Sequence, residues 1–174
     1  DAYEMLVLSV LEQVLIGNSG APLRKALMDS GLGSTLSDAT GLDTENKDTM
    51  FACGLKDVDP EDAEKIEHII FAVLSDLAEK GIDRRLVDSA VHQIEFHRRE
   101  VTSTHFPYGL KLLLRFCGDW LHEGDPSVVL KFDSLMERFF NEIETTPLLE
   151  NRIRRYFLDN SHRVRITLEP DTDL

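Results

Sequence analysis

The sequence predicts an α/β domain of the two-layer α+β type, rich in helices, in which helices pack on an antiparallel or mixed sheet. Apolar residues recur at helical spacing through most of the chain. Segments within 34–56 have instead the composition of strands, and residues 162–169 alternate between apolar and polar residues as a strand does. The 174 residues suffice for one domain with its own core. We therefore expect residues 1–174 to form a single domain.

Residues 1–33 predict two helices. The first has an apolar stripe at helical spacing, formed by Leu6, Val10, Leu11 and Val14. The stretch "GNSGAP" ends this helix, and Pro22 suits the first turn of the second. Residues 34–56 then predict an antiparallel hairpin, because "STLSDATGLD" and "DTMFACGLKDV" flank the turn "DTENKD".

Residues 60–158 predict the helical part of the domain. Asp59 is the expected N-cap of its first helix, and Pro60 takes the first helical position. Gly81 ends that helix, and Asp83 caps the next. The sequence thus marks both ends of the helix that carries the apolar stripe Ile66, Ile70, Val73 and Leu77.

The later helices are predicted from apolar runs between proline breaks. Residues 108–122 are apolar on most sides, which predicts a helix buried against several partners, with Trp120 in the core. A further helix begins at Pro126, and in the last one Thr146 is the expected cap and Pro147 the first helical residue. The alternation at 162–169 predicts a closing strand.

Three predicted strands make a thin sheet for about seven helices, since sheets of globular domains more often have about four to six. The chain also starts at Asp1, without a methionine and already inside a helical pattern. We therefore expect the domain to be incomplete at its N-terminal edge and to be a fragment of a longer protein.

Composition limits the classes of partner. Nineteen basic residues stand against 32 acidic ones, and the formal net charge is −13. This balance disfavours nucleic acid and anionic membranes as partners, because both need a positive surface. The two cysteines, Cys53 and Cys117, have no metal spacing and no disulfide framework, which favours a reducing compartment. No apolar run is long enough to span a bilayer.

The stretch "VHQIEFHRRE" resembles a zinc motif in composition but not in spacing. His92 and His97 are five residues apart, so their rings diverge by about 140° round a helix. Zinc motifs of this kind place their histidines four apart, where both can reach one metal. His92 and Glu95 can meet, but two ligands do not make a catalytic site. A small metalloenzyme that uses His92, Glu95 or His97 with a distant ligand remains an alternative.

Other candidate residues have ordinary explanations. The glycines of "SGLGST" lack the pattern of a phosphate loop, and no histidine accompanies a serine in a recognisable nucleophile motif. Glu64 and His68 suit a surface pair. The remaining candidates are expected to be caps or surface groups: Ser30, Ser34, Ser37, His105, His122 and His162. We therefore predict no catalytic, cofactor-binding or metal-binding residue in this chain.

The order of segments nevertheless resembles a known family. "VLEQVLIGNSGAPLRKALMDSGLGS", "TGLD" and "MFACGLKDVDPEDAEKIEHII", followed by "GDPSVVLKFDSLMERF" and "LLENRIRRYFLDNSHRVRITLEPD", are similar to insulinase-like (pitrilysin) zinc metallopeptidases. Within that family the presequence protease branch is the most similar. The resemblance covers about Leu6 to Asp171, and it is to the second, non-catalytic domain.

The resemblance implies a parent protein of four related α/β domains that close round a peptide-filled chamber. Zinc would lie in the first domain, on an HxxEH helix that this sequence lacks. Its partners would be the other domains of the parent and unfolded peptides. The compartment would be the cytoplasm of a bacterium or an organelle matrix of a eukaryote.

Besides the metalloenzyme alternative, two functions remain open from the sequence. The first is a non-catalytic domain of a zinc metalloendopeptidase that degrades peptides, with the strand at residues 50–56 and the acidic balance contributing to the chamber wall. The alternative is a self-standing helical interaction or scaffold module without enzymatic activity. An exposed strand edge, left by a missing first strand, would also allow copies of the chain to associate.

Overall fold

A computed structural model of the chain describes residues 1–44, 46, 48–101, 107–121 and 123–170; within these, the side chains at 115, 118, 119, 128 and 129 are not described. Seven α-helices and four short strands follow one another in this part of the chain. In order they are α1 (Ala2–Ile16), α2 (Pro22–Asp29), β1 (Thr35–Leu36), β2 (Gly41–Asp43), β3 (Met50–Ala52), β4 (Leu55–Lys56), α3 (Ala63–Lys80), α4 (Arg84–Arg99), α5 (Tyr108–Leu121), α6 (Phe132–Thr145) and α7 (Leu148–Ile153). The helix-rich α/β class with antiparallel strand pairing is confirmed.

Helix α1 lies at the centre of the core. Val7, Val10 and Leu15 are fully buried, and the helix contacts α2, α4, α6, α7 and β2. The apolar stripe that the sequence predicted for α1 is buried in full. Since burial of apolar surface is the main favourable term in folding, α1 organises the domain.

The strands form one long irregular hairpin of two antiparallel ladders. β1 pairs with β4, with Leu36 opposite Leu55, and β2 pairs with β3, with Leu42 opposite Phe51. The backbone N–H of Leu42 also donates to Glu12 Oε1 on α1 over 3.0 Å. The hairpin is therefore joined to the central helix by a hydrogen bond as well as by packing.

The predicted signals around α3 and α4 are confirmed. Asp59 accepts a hydrogen bond from the N–H of Glu61 at the head of a 3₁₀ turn, Pro60–Asp62, which leads into α3. Gly81 ends α3 with φ at 87°, a conformation that glycine adopts without steric cost. Asp83 caps α4 by accepting from the N–H of Arg85.

The prediction that residues 108–122 form a helix buried on most sides is wrong. In the described residues, α5 packs mainly against a 3₁₀ turn at Pro126–Leu130, and Trp120 is 65% exposed. Trp120 is therefore not a core residue. An apolar helix is buried only where neighbouring elements cover it, and the sequence pattern does not contain that information.

Two predicted helix starts need correction. Pro126 opens the 3₁₀ turn, and α6 begins only at Phe132. Helix α7 begins at Leu148 with Pro147 in the cap position, so Thr146 does not cap it. The Thr146 hydroxyl donates instead to the carbonyl oxygen of Glu142 in the last turn of α6.

The predicted strand at 162–169 is not formed. All four strands of the described residues lie between Thr35 and Lys56, and none of them pairs with this segment. The segment has no regular secondary structure, and its apolar side chains are exposed: Val164, Ile166 and Leu168. A strand requires a neighbour for its backbone groups, and alternation in sequence does not supply one.

A wide turn connects α7 to this segment. Residues Arg154–Leu158 form a π-helical turn, and the N–H of Asp159 donates to the carbonyl oxygen of Arg154 over 2.8 Å. Within the turn, the ring of Phe157 meets the ring of Phe51 edge-on, with centroids 5.0 Å apart. The hairpin and the last helix are thereby packed together.

Candidate functional site

The polar face of α4 carries the residues that most resemble a metal motif. His92 Nδ1 lies 4.0 Å from Glu95 Oε2. His97 Nδ1 lies 2.7 Å from the carbonyl oxygen of Gln93 on the preceding turn. Thus the two imidazoles have different partners, one a carboxylate and one the backbone of the helix.

Across residues 1–44, 46, 48–101, 107–121 and 123–170, no three His, Cys, Asp or Glu side chains gather where they could hold a metal ion. His105 and His122 lie outside the described residues. His162 is exposed, and its backbone N–H donates to Asn160 Oδ1 over 2.8 Å. No described histidine thus belongs to a group with metal-binding geometry.

A shallow depression runs along α4. All of its lining residues belong to this one helix: Arg85, Asp88, Ser89, His92, Gln93, Phe96 and His97. Phe96 is an exposed member of this lining. Binding and catalytic sites bring polar groups from several elements towards one point, and among the residues that the structure describes no second element lines this depression.

A second depression lies between the end of α1 and the hairpin. Its lining combines charged and hydroxyl side chains, among them Glu12, Arg24, Ser37 and Thr40. Ser37 and Thr40 hydrogen-bond to each other, with 2.9 Å between their oxygens. Glu12 is already bound to the N–H of Leu42. These groups stabilise the hairpin.

The predicted serines take part in local turn bonds. Ser30 Oγ donates to the carbonyl oxygen of Leu27 over 2.6 Å, and Ser34 Oγ hydrogen-bonds to Asp57. The pair predicted between Glu64 and His68 is replaced, because Glu64 Oε1 lies 3.8 Å from Arg165 Nη2. These residues thus act in turns and in a tertiary contact.

The strongest polar cluster joins the two ends of the chain. The Tyr3 hydroxyl donates to Glu142 Oε2 over 2.6 Å, and the guanidinium of Arg138 stacks 3.6 Å from the centroid of the Tyr3 ring. Burial, followed by the hydrogen bond to Glu142, raises the pKa of Tyr3. The cluster attaches α1 to α6.

An ion pair beside it attaches α1 to α7. Arg152 Nε lies 2.5 Å from Glu4 Oε1, and Nη2 lies 3.0 Å from Oε2. Burial acts to raise the pKa of Glu4, but hydrogen bonds from Arg152 and Tyr156 and the charges of Arg152 and Arg155 outweigh it, so the pKa is lowered. Sequence reasoning missed both clusters, since residues 135 or more positions apart leave no local pattern.

Neither cysteine forms a disulfide. Cys53 follows β3 and packs against the core, and burial raises the pKa of its thiol to about 12. A thiol with such a pKa is almost wholly protonated at neutral pH and is a poor nucleophile. Cys53 therefore acts as a small packing residue.

In the described ranges of the chain, every helix is too short or too polar to span a bilayer. Neither the two depressions nor the two structural clusters of the described residues bring together the side chains of an active site.

The sequence of the chain matches a known protein family. A family model described as "Peptidase M16 inactive domain" matches residues 1–94, more than half of the chain. A chloroplastic/mitochondrial presequence protease 1 of Arabidopsis thaliana is 36% identical over 99% of this chain. A mitochondrial presequence protease of Xenopus laevis is 31% identical over 98%, and a Clostridium perfringens protein named HypA is 31% identical over 98%.

The chain spans only 16% to 17% of the length of these relatives. The family match covers α1 to α3, the hairpin and the part of α4 up to residue 94, and it includes only the first four residues of the "VHQIEFHRRE" stretch. It agrees with the resemblance to presequence proteases drawn from the segment order. This chain belongs to the family of the peptidase M16 inactive domain.

Proposed function

We propose that this domain is a non-catalytic part of a zinc-dependent metalloendopeptidase that degrades peptides, and that it forms part of the wall of the substrate chamber. The observation that carries the proposal is an alignment of nearly the whole chain with about one sixth of each presequence protease. The sequence has no HxxEH motif, which is consistent with a non-catalytic role for this domain.

The wall role rests on charge and exposure. The net charge of −13 would attract basic, unfolded peptides. Met50, at the start of β3, is an exposed apolar residue on the hairpin and offers a contact for a peptide side chain. The hairpin is held by α1 and by Phe157, so it presents a firm surface.

Zinc would lie elsewhere in the parent protein. The described residues of this chain do not fit a zinc site, because they bring no three suitable side chains together. We therefore assign no ligand and no catalytic step to this chain. Its other partners would be the remaining domains of the same polypeptide.

The names of the relatives suggest the compartment. Two are described as mitochondrial or chloroplastic/mitochondrial, and another comes from a bacterium. We propose an organelle matrix if the source is a eukaryote and the cytoplasm if it is a bacterium.

Association of copies through an exposed strand edge also stays a prediction, and light scattering on the purified protein would measure it.

The test of the wall role uses the full-length polypeptide that contains this chain. A photo-crosslinking amino acid replaces Met50 on the hairpin, and in a control protein it replaces Met28, an exposed methionine on α2. A basic, unfolded peptide should crosslink at position 50 and much less at position 28. Equal crosslinking at both positions, or none at 50 while the peptide is cleaved, would contradict the wall role.

The non-catalytic role has a separate test. The full-length protein should cleave the peptide in a chelator-sensitive reaction, and the 174-residue chain should not. Chelator-sensitive cleavage by the isolated chain would contradict that part of the proposal. A reading frame that starts just before Asp1 and stops after Leu174 would favour the self-standing interaction module instead.

A further inference from the structure

The depression between the end of α1 and the hairpin differs from the one on α4, because several elements line it. It takes side chains from α1, α2, β1 and the turn after β1, and its volume is about 300 Å³. Ligand pockets begin at about this size and combine a few polar groups with apolar ones. Ile16 and Leu36 supply the apolar part of the lining. The depression thus has the size and the mixed lining of a site for a small ligand.

Arg24 is the charged residue of this lining that lacks a partner. It is partly buried, and within the described part of the chain its side chain makes no hydrogen bond, ion pair or ring contact. The chain has 32 acidic residues, so acidic partners are abundant in its composition. Burial costs a charged group part of its hydration, and a partner normally compensates for that cost. The compensation for Arg24 is missing in the domain itself.

The position of Arg24 in α2 adds a second cost. It is the third residue of this helix, Pro22–Asp29, and therefore lies in its first turn. The positive end of the helix dipole disfavours a cation there. Residues that break a local rule without a compensating contact are expected at functional sites. An anion bound to the guanidinium of Arg24 would offset both costs.

The neighbours of Arg24 favour a carboxylate over a more highly charged anion. Ser37 and Thr40 hydrogen-bond to each other, so one of their two O–H groups is left to donate to a ligand. Glu12 also lines the depression, with its Oε1 accepting from the N–H of Leu42. Its negative charge repels a doubly charged phosphate more than a singly charged carboxylate. A guanidinium also matches a carboxylate with two parallel hydrogen bonds.

We propose that this depression is a binding site for a small aliphatic carboxylate. The guanidinium of Arg24 binds the carboxylate, and Ile16 and Leu36 contact the aliphatic part. The carboxylate belongs to a free acid, to a free amino acid or to the last residue of a peptide, and the test separates these three sources. The proposal is independent of the proposed function, because it rests on one depression within this chain.

Calorimetric titration of the full-length polypeptide tests the ligand class. The probes are 4-methylpentanoate, L-leucine and N-acetyl-L-leucine, which share an aliphatic group and a carboxylate and represent the three sources in turn. N-acetyl-L-leucinamide is the control, since it has the same shape as the third probe and no charge. We expect at least one acid to bind at least about tenfold more tightly than this amide. Failure of all three acids to bind, or an amide that binds as tightly as the best acid, would overturn the proposal.

A pair of adjacent substitutions on α2 tests the role of Arg24. Arg24→Gln removes the guanidinium, and Lys25→Gln is the matched control, because Lys25 is an exposed cation next to it. The affinity for the best acid should fall at least about tenfold in the Arg24 variant and stay unchanged in the control. Both variants should keep the melting temperature of the unmodified protein, since neither loses a hydrogen bond of the domain. Equal affinities in the two variants would overturn the assignment of Arg24.

Hydrogen exchange locates the site without any substitution. Addition of the best acid to the unmodified full-length polypeptide should slow exchange of the backbone amides at residues 12–17 and 36–42, because these segments line the depression or hold its edge. Exchange at α4, which lies outside the depression, should not change. Protection that appears only outside 12–17, 22–29 and 36–42 would place the acid elsewhere and overturn the proposal.

Discussion

Glu4 and Arg152 lie 148 positions apart in the sequence and form a two-pronged ion pair, with 2.5 Å between Oε1 and Nε and 3.0 Å between Oε2 and Nη2. The two side chains are 20% and 18% exposed. A planar guanidinium matches a carboxylate in this geometry better than a lysine could. The pair joins the central helix to the last α-helix of the domain.

Replacement of Arg152 by alanine should therefore destabilise the domain. The change leaves the half-buried carboxylate of Glu4 without its main partner, and we expect a loss of about 2 kcal/mol in the free energy of unfolding. Urea denaturation followed by circular dichroism measures it. Arg84→Ala is the control, because the Arg84–Asp88 pair on α4 is half exposed and should contribute less than about 1 kcal/mol. Equal losses in the two variants would contradict this role of the pair.

The same pair predicts a pH dependence. The pKa of Glu4 in the folded protein is lowered from its ordinary value of 4.5. Its contribution to stability should be complete above that value and should be lost as the pH falls through the lower folded pKa. Glu4→Gln should flatten this acidic limb of the stability profile, and Arg152→Met should flatten it too. An unchanged slope below pH 4.5 in both variants would exclude Glu4 as its source.

Two adjacent phenylalanines of α6 should respond very differently to truncation. Phe139 is fully buried and Phe140 is 37% exposed. Phe139→Ala should cost about 3 to 5 kcal/mol, because it removes buried apolar surface and leaves a cavity. Phe140→Ala, the matched control, should cost about 1 kcal/mol or less. Thermal and urea unfolding would show the difference, and similar costs would mean that α6 is rotated from its described position.

Gly33 should not tolerate a side chain. A Cβ atom at this position would lie 2.5 Å from the carbonyl oxygen of Lys56 and 2.8 Å from Leu55 Cβ, so the start of the hairpin would have to move. Gly33→Ala should lower the melting temperature. Gly54→Ala is the control, because its Cβ would meet only Ser37 at an ordinary 3.5 Å. A melting temperature unchanged by Gly33→Ala would show that the close approach of β4 is absent in solution.

Local signals in the sequence predicted local structure well. Asp59 and Asp83 were identifiable as helix starts because an N-cap side chain bonds to a backbone N–H two or three residues away. Gly81 was identifiable as a helix end because glycine adopts a positive φ without steric cost. The apolar stripe of α1 was likewise sufficient to predict that helix. Its period of about 3.6 residues is a property of the helix itself.

Features that depend on distant partners could not be predicted. The burial of α5 depends on whether another element covers it, and its apolar composition alone gave the wrong answer for Trp120. The strand expected at 162–169 depends on a neighbour in the same way. The Glu4–Arg152 pair left no signal at all, because nothing near either residue in the sequence specifies the other.

The wide turn at Arg154–Leu158 has a consequence for the tolerance of the chain to deletion. A π turn accommodates about one residue more than an α-helical turn, so the rotation of the side chains in it depends on that extra residue. Removing one residue there would restore regular winding, turn the ring of Phe157 away from Phe51 and uncouple the hairpin from the end of the chain. Homologues one residue shorter at this point would therefore need another aromatic contact to hold their hairpin.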